Sequence, residues 1–345
     1  MTRTLISLTV LVCALAAARR ALVRPLAESS PAFVALVSPD RAQSLGIAAL
    51  SVEYGASGER FEYSRRAGLW RSDTAFGALV LEPSMDGLLS QLLGAVGEMR
   101  TSDPARRAAY GLDGAQLVRV SLFGPAVGAG GETAPLLRFD LGRSLAGIGG
   151  GRSWVRLGGD DRLFEIQFDP RARLRRDAPS GLPPLLDERL LAGEWPQPGG
   201  GLSRVFLDRR TGESLQLSSE LGAPGSLGRR WRATSGDARA PCLPYRMAAW
   251  QAFLYRAPFV ATLDPKHARE LGLQDPTATL TLFQVDAEPI VLQIGAADSS
   301  GQVTVLNEKT GSLCHVAPEV FDLLLPGIDQ LCEPRMANPW EAWLR

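Results

Sequence analysis

The amino-acid sequence predicts an α+β fold of two tandem repeats, each a mainly antiparallel sheet with an amphipathic helix and a short capped helix. The chain has 345 residues, which is more than one ordinary hydrophobic core accommodates. A phrase that begins at Asp103, DPARRAAYGLD, returns 161 residues later at Asp264 as DPKHARELGLQ. Segments that alternate apolar and polar residues follow both copies, and such alternation is typical of half-buried strands.

Aligning the two phrases brings other residues into register at the same spacing, including rare tryptophans and prolines. The matched pairs are Trp70 and Trp231, Pro83 and Pro244, Asp103 and Asp264, Pro104 and Pro265, Gly111 and Gly272, and Leu112 and Leu273. Residues of these types seldom agree at identical spacing by chance, so we interpret the pattern as an internal duplication.

The chemistry of the repeated phrase predicts a short capped helix. An aspartate followed by proline suits the N-cap and the first helical position, where the carboxylate accepts backbone N–H bonds and the missing proline N–H is not needed. The glycine at Gly111 or Gly272 suits the left-handed residue that ends a helix. We expect Leu112 and Leu273 to fold back onto this helix.

The other elements follow in the same order in both halves. Helical spacing of apolar residues predicts amphipathic helices over 85–99 and 246–259. Strand alternation is found at 48–53, 60–64, 116–123, 136–142, 154–157 and 163–168 in the first half, and at 203–207, 214–217, 277–283, 290–295, 303–306 and 313–316 in the second. The extra residues of the first half lie in the glycine-rich stretch 124–135, where a hairpin loop tolerates insertion.

These elements divide the chain into a first repeat over 30–195 and a second over 203–331. The proline- and glycine-rich residues 196–202 form the predicted linker. In the tail, 332–345, three apolar residues at helical spacing, Trp340, Trp343 and Leu344, leave two interpretations open. The tail either packs onto the second repeat or forms an exposed docking peptide.

The N-terminal segment, 1–29, contains an uncharged apolar stretch over residues 5–18. Arg3 precedes this stretch, and Arg19 and Arg20 follow it without a good cleavage site. We therefore expect an uncleaved anchor in the bacterial inner membrane and a periplasmic body. The alternative is a buried N-terminal helix of a cytosolic protein.

The charge balance excludes a general affinity for nucleic acid, because the chain has 37 basic and 37 acidic residues. Only Lys266 and Lys309 among the basic residues are lysines, and the abundance of arginine is interpreted as compositional bias. No nucleic-acid partner is expected.

No catalytic or metal-binding pattern is predicted. Asp264, His267 and Glu270 could form a polar cluster, but the first copy has Asp103, Arg106 and Ala109 at these positions, which indicates a solvated helix face. Cys242, His267, Cys314 and His315 are suitable metal ligands that lack zinc-motif spacing. We expect no metal or other cofactor. For Cys242, Cys314 and Cys332, a Cys314–Cys332 disulfide and buried free thiols both remain open.

Several phrases resemble the bacterial domain of unknown function family 4340. They are GLWRSD (68–73), DPARRAAYGLD (103–113), LLRFDLG (136–142), the strands over 153–168 and DERLL (187–191), with looser copies after Trp231. The resemblance covers most of 45–330. It implies an N-terminal inner-membrane anchor and the company of ABC-type transport systems of the gliding-motility kind. It provides no catalytic residues to transfer.

Two classes of function follow from these observations. The first is a non-enzymatic, membrane-anchored extracytoplasmic accessory or binding module, associated with ABC transporter subunits or other envelope proteins. The alternative is a ligand-binding protein that uses the inter-domain cleft, or a hydrolase or metal-dependent enzyme centred on His267 or His315.

Overall fold

Two antiparallel sheets, each with a helix on one face, dominate the part of the chain that the computed structural model describes. The described residues are 33–125, 134–145, 151–174, 181–192, 201–221, 229–333 and 339–340. The predicted anchor and most of the predicted linker and tail lie outside these ranges. The sheet-rich α+β prediction is confirmed.

The first sheet has ten strands in the order β1-β6-β10-β9-β8-β7-β2-β3-β4-β5. Their bounds are β1 Phe33–Ala35, β2 Ala49–Tyr54, β3 Arg60–Arg66, β4 Leu69–Ser72, β5 Ala78–Leu79, β6 Val96–Thr101, β7 Val118–Phe123, β8 Leu137–Leu145, β9 Arg152–Leu157 and β10 Leu163–Ile166.

The second sheet has nine strands in the order β14-β13-β12-β11-β16-β17-β18-β19-β15. Their bounds are β11 Leu202–Arg209, β12 Ser214–Leu221, β13 Arg229–Ser235, β14 Ala238–Pro241, β15 Ala261–Leu263, β16 Ala278–Gln284, β17 Ile290–Ala297, β18 Val303–Asn307 and β19 Ser312–Val316. When the first sheet is followed from β6 and the second sheet from β15 to the opposite edge, the strands of the two sheets occur in the same relative chain order.

Five α-helices accompany the sheets in the described residues. They are α1 Pro39–Ser44, α2 Glu82–Leu93, α3 Pro244–Arg256, α4 Pro318–Leu324 and α5 Ile328–Cys332. The larger two cover the inner faces: Met85, Leu88 and Leu92 of α2 enter the first core, and Met247 and Trp250 of α3 enter the second. This spacing places one apolar stripe of each helix against its sheet.

The predicted helices over 85–99 and 246–259 are too long at their C-terminal ends. Helix α2 ends at Leu93, before Gly94, and the chain continues as strand β6. Helix α3 ends at Arg256, shortly before Pro258, which does not favour a helix. In the first half, pairing of β6 with β1 and β10 overrides the helical spacing of the sequence.

The repeated phrase has the predicted caps but forms 3₁₀ rather than α-helical turns. The Asp103 carboxylate accepts the Ala105 N–H at 3.0 Å, and Asp264 accepts the Lys266 N–H at 3.0 Å. Gly111 has φ +70°, the left-handed conformation that glycine adopts without steric cost. Gly272, with φ +78°, adopts the same conformation.

We call each sheet together with its inner helix a domain, and the segment 181–192 contacts both. The Leu81 N–H donates to the Leu185 carbonyl at 2.8 Å, next to the N-terminus of α2. A few residues later, the Leu190 N–H donates to the Ala257 carbonyl at 2.8 Å in the second half. The predicted end of the first repeat is therefore also an edge of the second domain.

The tail contributes one buried side chain to the second domain. Trp340 is fully buried, and its Nε1–H donates to the Leu323 carbonyl at 3.1 Å. At this residue the packing interpretation of the tail is confirmed, while Trp343 and Leu344 lie outside the described residues. No helix among the described residues is long and apolar enough to cross a membrane.

Candidate interaction surface on the first sheet

Charged residues form a row across four neighbouring strands of the first sheet. Glu53 of β2 lies opposite Arg119 of β7, Arg119 lies opposite Asp140 of β8, and Asp140 lies opposite Arg156 of β9. The residues that alternate with them, such as Val120 and Phe139, belong to the core. Since side chains alternate between the two faces of a strand, the charged row lies on the outer face.

Asp140 is the centre of this row. Its carboxylate accepts from Arg119 Nε at 3.0 Å and from the guanidinium of Arg156, and Arg138 Nε lies 3.9 Å away. The Asp140 side chain is 1% exposed, whereas those of Arg119 and Arg138 are 31% and 37% exposed. The negative charge therefore lies beneath a layer of guanidinium groups.

The negative charges of Asp140 and Glu53 stabilise the charged form of Arg119. Burial lowers the pKa of its guanidinium, but the hydrogen bond to Asp140 and the nearby charges of Asp140 and Glu53 outweigh burial and raise the pKa above its ordinary value. Charge-assisted bonds of this kind are stronger than neutral ones and fix the planar guanidinium.

A second buried carboxylate repeats the pattern nearer the sheet edge. Glu165 of β10 has a side chain 5% exposed, and it accepts from Arg100 Nη2 at 2.8 Å and from Arg152 Nη1 at 2.5 Å. Arg100 also bonds to Glu98 at 2.7 Å. We call the five arginines of the two groups the arginine surface: Arg100, Arg119, Arg138, Arg152 and Arg156.

The repeated phrase packs beside the arginine surface. The Tyr110 ring meets the Trp154 ring edge to face at 4.6 Å between centroids, and Leu112 and Leu163 are buried with them. A Cβ at Gly142 would lie 2.3 Å from the Tyr110 carbonyl oxygen, so only glycine fits there. The phrase thus covers the outer face beside strands β8 and β9.

The second sheet does not carry a comparable row. Its paired positions across β11, β16, β17 and β18 are Asp208, Thr279, Gln293 and Leu306. The arginine surface is therefore specific to the first domain, although the strand order of the two sheets agrees.

The tryptophans, leucines and prolines matched between the two halves of the sequence are either buried or located in the first turn of a helix. Trp70 and Trp231 are 3% and 8% exposed, and Leu112 and Leu273 are 2% and 5% exposed. Pro83 and Pro244 both lie in the first turn of a helix, as its second and first residues respectively. Pro104 and Pro265 begin the 3₁₀ turns that Asp103 and Asp264 cap.

The histidines do not join a metal cluster in the described residues. His267 is exposed in a 3₁₀ turn, and His315 is half-buried on β19, next to the buried Cys314. No group of three or more His, Cys, Asp or Glu side chains in these ranges could hold a metal ion.

The cysteines pair in space differently from the disulfide considered for Cys314 and Cys332. Cys242, Cys314 and Cys332 are free thiols. The sulfur of Cys332 lies 3.8 Å from that of Cys242, while the Cys314 thiol donates to the Val305 carbonyl at 3.5 Å. Burial raises the pKa of Cys314 to about 12.

The arginine surface is not predicted from the sequence, because the abundance of arginine is interpreted there as compositional bias. A signal was present in the strands, where Arg119, Arg138, Asp140 and Arg156 occupy the polar positions between core residues. Their convergence depends on the register of β7, β8 and β9, which strand alternation alone does not determine.

No protein-family model, curated protein or solved structure matches this chain. The resemblance to family 4340 stays a prediction.

Proposed function

We propose that this protein is a non-enzymatic, membrane-anchored extracytoplasmic module that binds an acidic surface of an envelope protein, as an accessory to an ABC-type transport system. The observation that carries the proposal is the arginine surface. Five arginines lie on one sheet face, and their carboxylate partners Asp140 and Glu165 are almost fully buried.

The geometry suits protein recognition. A guanidinium has five N–H donors, and the hydrogen bonds to Asp140 and Glu165 use only some of those on Arg119, Arg156, Arg100 and Arg152. Arg138 lies 3.9 Å from Asp140. Side chains that are already held in place lose less conformational entropy on binding, which leaves more of the interaction energy as affinity. Arginine is also enriched in protein interfaces, and complementary charge speeds association.

The location and the transport partner rest on the sequence. Residues 5–18 supply the proposed anchor, and the resemblance to family 4340 suggests the ABC-type system. An anchor would keep the arginine surface close to a membrane-bound partner, which raises its effective concentration.

We also propose that the two domains arose by tandem duplication. The common strand order of the two sheets, the two inner helices and the two capped 3₁₀ segments support this. Gly142 and Gly295 add to it, because each lies against the backbone of its own capped segment, at the Tyr110 and Leu271 carbonyls. Restriction of the arginine surface to one copy indicates that the copies diverged in their binding role.

The geometry favours this surface over the inter-domain cleft. A cavity lined by Ala78 and Leu79 of the first domain and by Phe259 and Asn307 of the second has a volume of about 10 Å³. Small-molecule sites usually occupy roughly 300–1,000 Å³. A neighbouring cavity, lined by Trp70, Leu81 and Arg189 among others, has a volume of about 200 Å³, so both cavities at this junction are smaller than such sites.

The test is affinity purification of the full-length protein from native membranes in mild detergent, with mass spectrometry of the proteins that accompany it. The wild type is compared with the double variant Arg138→Gln/Arg152→Gln. These two arginines are chosen because Arg138 is 3.9 Å from Asp140, and because Glu165 keeps Arg100 when Arg152 is replaced. The fold should therefore survive.

The matched control is Arg204→Gln, an exposed arginine on the outer face of the second sheet. We expect transporter permease or ATPase subunits with the wild type and with the control, and their loss with the double variant. Equal recovery of partners with the double variant would contradict the proposed surface. Purification of the wild type without any partner would contradict the accessory role.

A further inference from the structure

The contact between the two domains of one chain uses opposite ends of the two sheets. Ala75 and Ala78, at the β4–β5 end of the first sheet, belong to the same apolar cluster as Leu190 and Phe259 of the second domain. Arg71 of β4 donates through Nη1 to the Thr310 carbonyl at 3.2 Å, in the turn before β19. One end of the first sheet thus docks on the β15–β19 end of the second.

The first domain has the same docking end, at β1, β6 and β10. Leu36 N–H donates to the Ala95 carbonyl at 2.9 Å, just as Leu190 N–H donates to the Ala257 carbonyl at 2.8 Å. Leu36 and Leu190 therefore hold equivalent places next to the residues that precede β6 and β15, although β6 is also paired with the edge strand β1.

The turns next to these strands also correspond. Arg156 lies opposite Leu163 in the first sheet, and Leu306 lies opposite Leu313 in the second. The turn over 158–161 is thus the counterpart of the turn over 308–311, which includes Thr310.

At this docking end the two domains differ in what covers them. In the second domain, Ala78 and Leu79 fill the space beside Leu190, which leaves the cavity of about 10 Å³. In the first domain, a groove of about 680 Å³ is open beside Leu36 and Leu157, along the turn 158–161. Phe33 and Val34 of β1 are 50% and 42% exposed at the same end. This is a large apolar exposure for an edge strand.

The second domain has a counterpart of the filling end, where the Cys332 thiol of α5 lies 3.9 Å from the Ala240 carbonyl oxygen. Arg232 lies opposite Pro241 in β13 and β14, as Arg71 lies opposite Leu79 in β4 and β5. By this register Ala240 occupies the place of Ala78. Arg232 is exposed, and Tyr245, at the start of α3, is 54% exposed.

We propose that the groove at the β1–β6 end of the first domain receives the β13–β14 end of a second copy of this chain. The contact repeats between chains the contact that joins the two domains within one chain. It rests on the tandem duplication proposed above. Arg138 of the arginine surface also lines the groove, so this contact is tested with a variant on the opposite end of the contact, Arg232.

The occupant follows from the complementarity of the two ends. Arg232 of one copy donates to a backbone carbonyl of the turn 158–161 of the next, as Arg71 does to Thr310, while the Asp160 and Asp161 carboxylates of that turn stay bonded to Arg162 and Arg107. Ala240 provides the small apolar side chain that Ala78 provides within the chain. Because the two ends are different surfaces, the contact is head to tail and adds further copies in a row or a ring.

The test combines isotope labelling with site-specific photo-crosslinking of the full-length protein in mild detergent. Labelled and unlabelled chains are mixed, and a benzophenone amino acid replaces Arg239, which is exposed on β14. We expect crosslinked peptides of mixed isotope content that join position 239 to residues 157–162. The charge reversal Arg232→Glu should weaken association by about tenfold or more, which corresponds to ~1.4 kcal/mol. The control Arg204→Glu, on the outer sheet face, should not change it.

Three results would overturn the proposal. The first is that all crosslinks, including any to residues 1–32, join positions within a single chain. The second is that the protein stays monomeric at every concentration tested. The third is that Arg232→Glu associates as strongly as the wild type. Partner capture from membranes separates this proposal from the previous one, since Arg232→Glu leaves the arginine surface intact and should still retain a transporter partner.

Discussion

Replacement of Asp140 by asparagine tests whether the buried carboxylate organises the arginine surface. The asparagine side chain keeps the size of the aspartate but loses its charge, so Arg119 and Arg156 lose their shared anion. Removing one partner of a fully buried ion pair costs about 3–5 kcal/mol. Because Arg119 is 31% exposed and Arg156 is 13% exposed, water compensates part of this loss. We expect a destabilisation of about 2–3 kcal/mol of the first domain.

The assay is urea unfolding followed by tryptophan fluorescence. With a slope of about 2 kcal/mol per molar urea, the expected loss lowers the unfolding midpoint of the first domain by about 1–1.5 M. The control is Asp275→Asn, because Asp275 and its partner Arg210 have side chains 68% and 65% exposed. Exposed pairs contribute about 0–1 kcal/mol, so this midpoint should shift by less than about 0.5 M. Equal midpoints for the two variants would refute the role given to Asp140.

Three further predictions concern packing and the thiols. Gly142→Ala should destabilise the first domain by about 1–3 kcal/mol in the same urea assay, because its Cβ meets a backbone carbonyl; Gly46→Ala, which meets only one atom at 4.0 Å, is the control, and similar costs for both would contradict the packing argument. Cys242 and Cys332, with sulfurs 3.8 Å apart, should form a disulfide under diamide, seen as the loss of two hydrogens in the intact mass. This bond closes a loop of 90 residues and should raise stability by about 4–5 kcal/mol in the chain-entropy model, whereas a lower unfolding midpoint would show that the geometry is wrong. Cys314, whose pKa burial raises to about 12, should resist iodoacetamide at pH about 8 until urea unfolds the protein, and rapid labelling of the folded protein would contradict its burial.

Local chemistry was sufficient to predict how the segment formed by the repeated phrase begins and ends. Asp103 and Gly111 act through atoms a few residues away, so their roles as cap and left-handed terminator follow from the letters themselves. The hairpin of β7 and β8 was equally predictable, because its alternation continues on both sides of a glycine-rich loop.

Non-local pairing explains what the sequence did not predict. Residues of β6 continue the helical spacing of α2, but they pair with β1 and β10, the latter about 65 residues away. The arginine surface depends in the same way on strands that meet only in the folded sheet. In both cases the missing information was the register between distant strands rather than any single residue type.

The most direct test of the central claim is to quantify the proteins that copurify with the wild type, with Arg138→Gln/Arg152→Gln and with Arg204→Gln, all expressed at equal levels. We expect one set of envelope proteins that is retained by the wild type and by Arg204→Gln and is depleted about tenfold or more in the double variant, equivalent to ~1.4 kcal/mol of binding free energy. The same set at the same abundance in all three samples would show that the arginine surface does not bind the partner.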